Sequence, residues 1–389
     1  MTDARPTLER ARANFPDPPL AMEDVLRLRD RRQRNRRIRA GVLGVVVAVA
    51  MALGGLSLLR STQRPATPSP SPLPPLRDQV IAFADGSEVK TIRADGSHEA
   101  VLATPCTGGS CHIDGIAWSP SGSELAIGLG HGNVANGQTM IVRRDGSGLR
   151  TLPGCPGGVP AWSPDGSLIA PGNESGPEPL YTCDADGGGV RQVSPEWLRM
   201  DFDMAWSPDG RELAYSARTP AGNDAIVVES ADGTGARRIF RRAWHWIWGT
   251  AWSPDGRRIA FTVQGQLHEA TQLWVVNADG TDPHVVLEAR FVGSPVWSPD
   301  GTQLAVLMGS DRTHRSLVLV AADGSGQTQL LEGSSISNPV WDPSGRALAL
   351  LHDHDLVLVP VDGSPVQTVA SGLAQMQIAW APIGRRTAT

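Results

Sequence analysis

Lysine is almost missing from this chain: Lys90 is the only one, and arginine carries the rest of the 35 basic residues. With abundant Ala, Gly and Pro beside it, that bias suits a GC-rich coding sequence and says nothing of function. A basic surplus is also missing. The formal net charge is -5, so no global field invites nucleic acid. There is no G-x-S-x-G elbow, no Rossmann or P-loop glycine pattern and no room for an α/β hydrolase domain, so the common routes to a catalytic site are not written here. The four cysteines, Cys106, Cys111, Cys155 and Cys183, lack the spacing of a zinc site. No metal, no cofactor and no catalytic residue is therefore expected. Turn formers are plentiful instead: 43 Gly and 31 Pro with modest charge point to an all-β chain.

Long apolar runs are equally scarce, with one exception at 41–59, GVLGVVVAVAMALGGLSLL. Nineteen uncharged residues are long enough to cross a bilayer as a helix. Eight arginines crowd the approach (Arg27, Arg29, Arg31, Arg32, Arg34, Arg36, Arg37, Arg39), whereas only Arg60 and Arg64 follow closely. Arginine stays on the cytoplasmic side, so the expected topology is a single pass with the N-terminus inside and the remainder extracytoplasmic. A cleaved signal peptide is the rival, but its basic region would be unusually long and no A-x-A-like site follows. Residues 1–40 read as an Arg-rich cytoplasmic segment with a short helix, which serves as a topology signal or holds a cytoplasmic partner. Residues 60–77 form a linker in which Pro65, Pro68, Pro70, Pro72, Pro74 and Pro75 favour extended polyproline II.

From residue 78 onward the chain repeats itself. Trp118-Ser-Pro-Ser-Gly, Trp162-Ser-Pro-Asp-Gly, Trp206-Ser-Pro-Asp-Gly, Trp252-Ser-Pro-Asp-Gly, Trp297-Ser-Pro-Asp-Gly, Trp341-Asp-Pro-Ser-Gly and a degenerate Trp380-Ala-Pro-Ile-Gly recur at intervals of 44, 44, 46, 45, 44 and 39 residues. Each unit carries a second turn at Asp95-Gly, Asp145-Gly, Asp186-Gly, Asp232-Gly, Asp279-Gly, Asp323-Gly or Asp362-Gly. Pro presets φ, Asp bonds the local backbone and Gly takes the conformation a side chain resists. Four short strands per period in the forties are the signature of a propeller blade.

These residues resemble the TolB-like propeller repeat, a relative of the WD-repeat family, across 78–384. The resemblance implies a β-propeller and leaves function open. The N-terminal domain that accompanies such propellers in TolB itself is not evident. Six blades are usual for the resembled family, but the spacing favours seven. The segment 80–83 reads as a second strand without a first, and 376–380 as a first strand without a second. The C-terminal strand is thus expected to complete blade 1, leaving 385–389 as a disordered tail.

Seven near-identical turns are structural, so function is expected on the opposite face, where loops vary. The richest stretch there is Arg241-Arg-Ala-Trp-His-Trp-Ile-Trp248. With Trp197 on the preceding connection, Arg242, Trp244, His245, Trp246 and Trp248 form a candidate ligand site able to stack a glycan, an aromatic group or a partner's side chain. Alternatively, these tryptophans wedge between blades. His352-Asp-His-Asp355 looks metal-friendly but reads as a hairpin turn, and Asp184-Ala-Asp-Gly187 lacks the downstream glutamate of a calcium loop. Disulfides are expected outside the cytoplasm. Three pairings are open, with Cys106–Cys111 preferred across a Gly-rich loop and Cys155–Cys183 following by default.

The expected role is a membrane-anchored, extracytoplasmic binding or scaffold module for a protein, peptide or glycan. The alternatives are an anti-sigma-like signalling protein with an outer sensor propeller, and an envelope hydrolase or lyase with a site in the propeller channel.

Overall fold

The computed structural model describes residues 75–382 apart from 107–110, 132–133, 173–178, 195–198, 219–222, 244, 266–268, 311–313 and 374–376. The expected cytoplasmic segment 1–40, the span 41–59, nearly all of the linker and the tail 385–389 lie outside the described residues. Among the described residues no helix is long and apolar enough to cross a membrane.

Seven antiparallel sheets follow one another along the chain, so the protein is a seven-bladed β-propeller. Six sheets are built from consecutive strands. Blade 1 is the exception: Ile378–Trp380 joins Val80–Asp85, Glu88–Arg93 and Ala100–Ala103 as its innermost strand. The register sets Ile81 opposite Trp380 and Phe83 opposite Ile378. Expectation and structure agree on blade number and on closure. In blade 6 the innermost strand is broken into Phe291–Val292 and Val296–Trp297, both paired with Gln303–Gly309. The linker boundary moves slightly: a single 3-10 turn at Leu76–Asp78 precedes blade 1, and Leu76 packs against the apolar cluster shared by blades 7 and 1.

The repeat works through hydrogen bonds that cross blade boundaries. The indole N–H of Trp162 donates to the Ala117 carbonyl at 2.9 Å, Trp206 to Ala161 at 3.1 Å, Trp297 to Ala251 at 3.1 Å, Trp341 to Val296 at 3.1 Å and Trp380 to Val340 at 3.2 Å. In each case the acceptor is the residue just before the preceding blade's tryptophan. Every such tryptophan is at most 9% exposed, so each seals one blade against the last. Trp118 and Trp252 keep the position, but their indole N–H groups have no acceptor among the described residues. This asymmetry gives a stability prediction. Trp206→Phe leaves the half-buried Ala161 carbonyl without the indole donor and should cost about 1 kcal/mol more than its loss of ring area. Trp252→Phe loses no bond and should cost less. Denaturant midpoints of the two variants check the difference, and equal losses would refute the role given to the indole bond.

The turns are held by one local circuit. In blade 5, Ser253 Oγ bonds Asp255 Oδ1, Asp255 Oδ1 accepts the Arg257 N–H at 3.1 Å, and Ser253 Oγ accepts the Arg258 N–H at 2.9 Å. Blades 3, 4 and 6 repeat it around Asp165, Asp209 and Asp300. At the second turn all seven aspartates accept the backbone N–H two residues on, between 2.8 and 3.0 Å. Both kinds of turn join first to second and third to fourth strands, so they share one face.

This circuit lowers the carboxyl pKa at Asp95, Asp145, Asp165, Asp209, Asp232, Asp279 and Asp300, first through the neighbouring Ser or Thr hydroxyl and then through the backbone amide. A pKa lower in the folded than in the unfolded chain means the folded state prefers the ionised form. Its stabilisation is present above the unfolded value, about 4, and is lost as pH falls through the folded value. Glu229 runs the other way: burial raises its carboxyl, against the bond it accepts from Tyr215 Oη at 2.6 Å. Asp255 and Asp362 are lowered as well, so among the described residues nine carboxyls of one sign stand against one, and the melting temperature should hold from neutral pH down to about 5 and fall below about 4. A flat melting profile through that window, followed by circular dichroism, would refute this account.

Candidate ligand site at the channel mouth

The face opposite the turns carries the connections between blades and those between second and third strands. In blade 5 three elements meet there: the connection ending at His245, the innermost strand Trp246–Trp252, and the 265–270 connection following Arg258–Gln264. Along the inner strand, side chains alternate. Ile247 is buried with Phe261 and Val263 in the cluster shared by blades 4 and 5. Trp246 and Trp248 therefore point the other way: Trp246 is 57% exposed, and Trp248 is half-buried. The wedge in this stretch is Ile247, not the exposed tryptophan beside it. Below them the register slips between Trp248 and Ala251. At Gly249 φ is +67°, and a β-carbon there would come within 2.7 Å of Ser294 Cα in blade 6, so only glycine allows this bulge.

Polar residues lie on the same end of the blade. Gln264 lies directly across the ladder and is exposed. Glu269 reaches back over Gly265, whose missing side chain leaves room for it, and places Oε2 3.3 Å from His245 Nε2. The His245 side chain is 15% exposed, whereas that of Glu269 is 56% exposed. The mouth thus presents an exposed indole with an amide opposite it in the ladder and the His245–Glu269 contact on the adjoining connections.

Arg242 is placed elsewhere. It lies on the outermost strand of blade 4, Arg237–Ala243, and turns toward the outer half of blade 5. There it donates to Gln272 Oε1 at 2.8 Å and sits 5.8 Å from the Trp274 ring centroid, while Gln272 in turn donates to Glu288. Desolvation, opposed by the charges of Glu269 and Glu288, lowers its pKa. The structure brings His245, Trp246 and Trp248 together and leaves Arg242 on the rim. Trp197 and Trp244 lie outside the described residues. Gln264 and Glu269 were missed because they come from the neighbouring strand and its connection. The pointer to them was the glycine at 265, which opens the second-to-third-strand connection on the same face.

Two other motifs resolve as turns. Asp353 and His354 form a two-residue hairpin turn with φ of +52° and +74°, and His352 pairs with Asp355 across it. In the Asp184-Ala-Asp186-Gly sequence, Asp186 Oδ1 accepts the Gly188 N–H at 2.8 Å, as in every other blade. Among the described residues no three His, Cys, Asp or Glu side chains gather as metal ligands. Both disulfides form in the preferred pairing: Cys106–Cys111 with Cα atoms 5.5 Å apart, and Cys155–Cys183 at 5.8 Å. The second ties the connection leaving blade 2 to the third strand of blade 3.

With blades, repeated turns and seams described, the comparison with known proteins is direct. The family model of the TolB beta propeller domain matches residues 117–345 and, overlapping them, 200–387. This chain belongs to the TolB β-propeller family. Among solved structures, this TolB-type propeller is similar to an oligogalacturonate lyase in complex with manganese (TM-score 0.58, 15% identity, covering 75% of this chain and 83% of that one). It is also similar to an oligogalacturonate lyase from Vibrio parahaemolyticus (0.57, 13%, 75% and 84%). TolB from Acinetobacter baumannii superimposes with a TM-score of 0.50 at 17% identity over 77% of this chain and 81% of that one. No curated protein matches the sequence. At these identities the likeness establishes the fold of the TolB-type propeller and no activity.

Proposed function

We propose that the chain is a membrane-anchored, extracytoplasmic binding or scaffold module that engages a protein, peptide or glycan of the cell envelope at the channel mouth of blade 5. The observation that carries this reading is Trp246. A large apolar ring is held more than half exposed there, while Ile247 beside it packs into the core between blades 4 and 5. Its neighbours are hydrogen-bonding groups, which suits recognition. The arginine asymmetry around 41–59 supports the anchor, and two disulfides suit an oxidising compartment.

Two measurements test the reading. External protease on spheroplasts should digest the propeller while sparing a tag at the N-terminus; a protected propeller would reject the topology. Full-length protein immobilised in nanodiscs should retain an envelope component, and Trp246→Ala should weaken that retention at least tenfold without shifting the melting temperature. Undiminished retention by the variant would reject the site.

A further inference from the structure

We propose that the seam between blades 4 and 5 is hydrated: one ordered water is bound inside it by Ser216, Thr250 and the Trp248 carbonyl. The next seam shows what this water replaces. Thr262, ten residues after Trp252, donates its hydroxyl to the Gly293 carbonyl at 2.9 Å across the seam between blades 5 and 6. Gly293 stands four residues before Trp297, and its N–H bonds the Leu307 carbonyl of its own second strand. One blade earlier the same two positions are held by Ser216, ten residues after Trp206, and by Trp248, four before Trp252 and paired with Thr262 in its own blade. Blades 2 and 3 meet in the same way, since a β-carbon at Gly128 would overlap the Gly158 carbonyl oxygen. Ser216 therefore faces the Trp248 carbonyl, yet its Oγ has no hydrogen-bond partner among the described residues.

Thr250 brings a second hydroxyl to this seam. A β-carbon at Gly249 would meet Ser294 of blade 6, and Ala251 packs in the cluster shared with blade 6, so Thr250 between them points to blade 4. From the other side, Ser216 follows Ala214 on one face of its strand and lies opposite Ile226, and both of these belong to the cluster shared by blades 4 and 5. Ser216 is 1% exposed and Thr250 6%, and the Thr250 hydroxyl likewise has no partner among the described residues. The Trp252 indole also finds no acceptor there, whereas Trp297 reaches Ala251 across the next seam. Both comparisons make this seam the looser of the two. A hydroxyl shut away from solvent is costly unless it is bonded, so two in one seam call for a shared partner. A buried water makes about three hydrogen bonds, and two hydroxyls and a carbonyl supply them here. All three groups are neutral, which suits water rather than an ion.

The test compares denaturant midpoints of the full-length chain, followed by tryptophan fluorescence, for Ser216→Ala, Thr250→Val and the pair, alongside an experimental electron-density map. Each substitution removes a hydroxyl at nearly constant shape. With a water linking the two side chains, each variant should lower the midpoint. The pair should lower it by less than the sum, because the second loss finds the bridge already broken. The map should show a water within hydrogen-bond reach of Ser216 Oγ. A dry seam gives the opposite sign: removing a buried hydroxyl that bonds nothing raises the midpoint or leaves it unchanged. A rise or no change in either variant, strictly additive losses, or a map without a water at Ser216 would each overturn the proposal. None of these results bears on retention through Trp246, so the binding reading stands or falls separately.

Discussion

Deletion of residues 376–389 should leave a chain that does not hold the propeller. Blade 1 would lose its innermost strand, and with it the pairing of Ile378, Ala379 and Trp380 with Phe83, Ala82 and Ile81. The flanking bonds from Ala84 N–H to the Gln377 carbonyl and from Ala381 N–H to the Val80 carbonyl would go too. Ile81 and Phe83, now buried in the seam with blade 7, would lose the cover of Ile378 and Trp380. Both neighbouring seams are hit: Ile378 and Trp380 belong to the core shared with blade 7, and Ala379 and Ala381 to the core shared with blade 2. Trp380 also donates its indole N–H to Val340, and a β-carbon at Gly122 would lie 3.3 Å from Pro382, so the chain just after the closing strand lies against the turn of blade 2. At about 1.5–3 kcal/mol for each large side chain unburied, Ile378 and Trp380 alone cost roughly 3–6 kcal/mol before the exposed strand edge is counted. A domain stable by about 5–15 kcal/mol does not survive that loss comfortably. Size-exclusion chromatography and thermal melts should show aggregation or a non-cooperative transition. A monomeric truncation melting within a few degrees of the full chain would overturn the closure argument.

Closure was legible in the sequence because it follows from a local mismatch, a strand at each end of the repeat lacking its neighbour. The turns were legible for a related reason: Asp, Gly and Pro determine their conformation over a few residues. What was not legible depends on register and radius. His245 and Arg242 are three residues apart, yet the connection between them runs from the rim of one blade to the channel of the next. Glu269 is 24 residues from His245 and meets it, because both connections open on the same face. Blade 7 shows a subtler case. Trp341-Asp-Pro-Ser-Gly looks like a degraded repeat, but Asp342 and Ser344 have exchanged positions. Buried Asp342 Oδ1 accepts the Arg346 and Ala347 N–H groups, taking over the part Ser plays elsewhere. Its Oδ2 accepts the Ser344 N–H at 2.9 Å and lies 3.4 Å from the Gln79 amide nitrogen, at the entry to blade 1. A motif score reads this exchange as loss, whereas the hydrogen bonds are conserved in kind.

Gly128→Ala should be among the most damaging single-methyl additions to the fold. Gly128 lies on the second strand of blade 2, opposite Gly115 on the innermost strand. The connection leaving blade 2 crosses both. A β-carbon at Gly128 would overlap the Gly158 carbonyl oxygen and come within 2.7 Å of its carbon, and one at Gly115 would come within 2.7 Å of Val159 Cα. These are backbone atoms, so no side chain can swing aside. The connection is also pinned: Leu152 N–H donates to the Thr139 carbonyl at 2.9 Å, Thr139 Oγ1 donates to the Pro156 carbonyl, and Gly158 holds a φ of +120° open to glycine alone. Cys155 is bridged to Cys183, which holds the connection against blade 3. Overpacking against such a support should cost about 3 kcal/mol or more. The bridge itself, closing a loop of 28 residues, contributes on the order of 3–4 kcal/mol in the chain-entropy account. The two effects should not add. Without Cys155–Cys183 the connection can lift off the sheet, so Gly128→Ala should cost less in a Cys155→Ala, Cys183→Ala background than in the bridged protein. A double-mutant cycle on denaturant midpoints reads the coupling directly. Strict additivity would mean that the connection is held by its backbone bonds and the disulfide adds no restraint at this crossing.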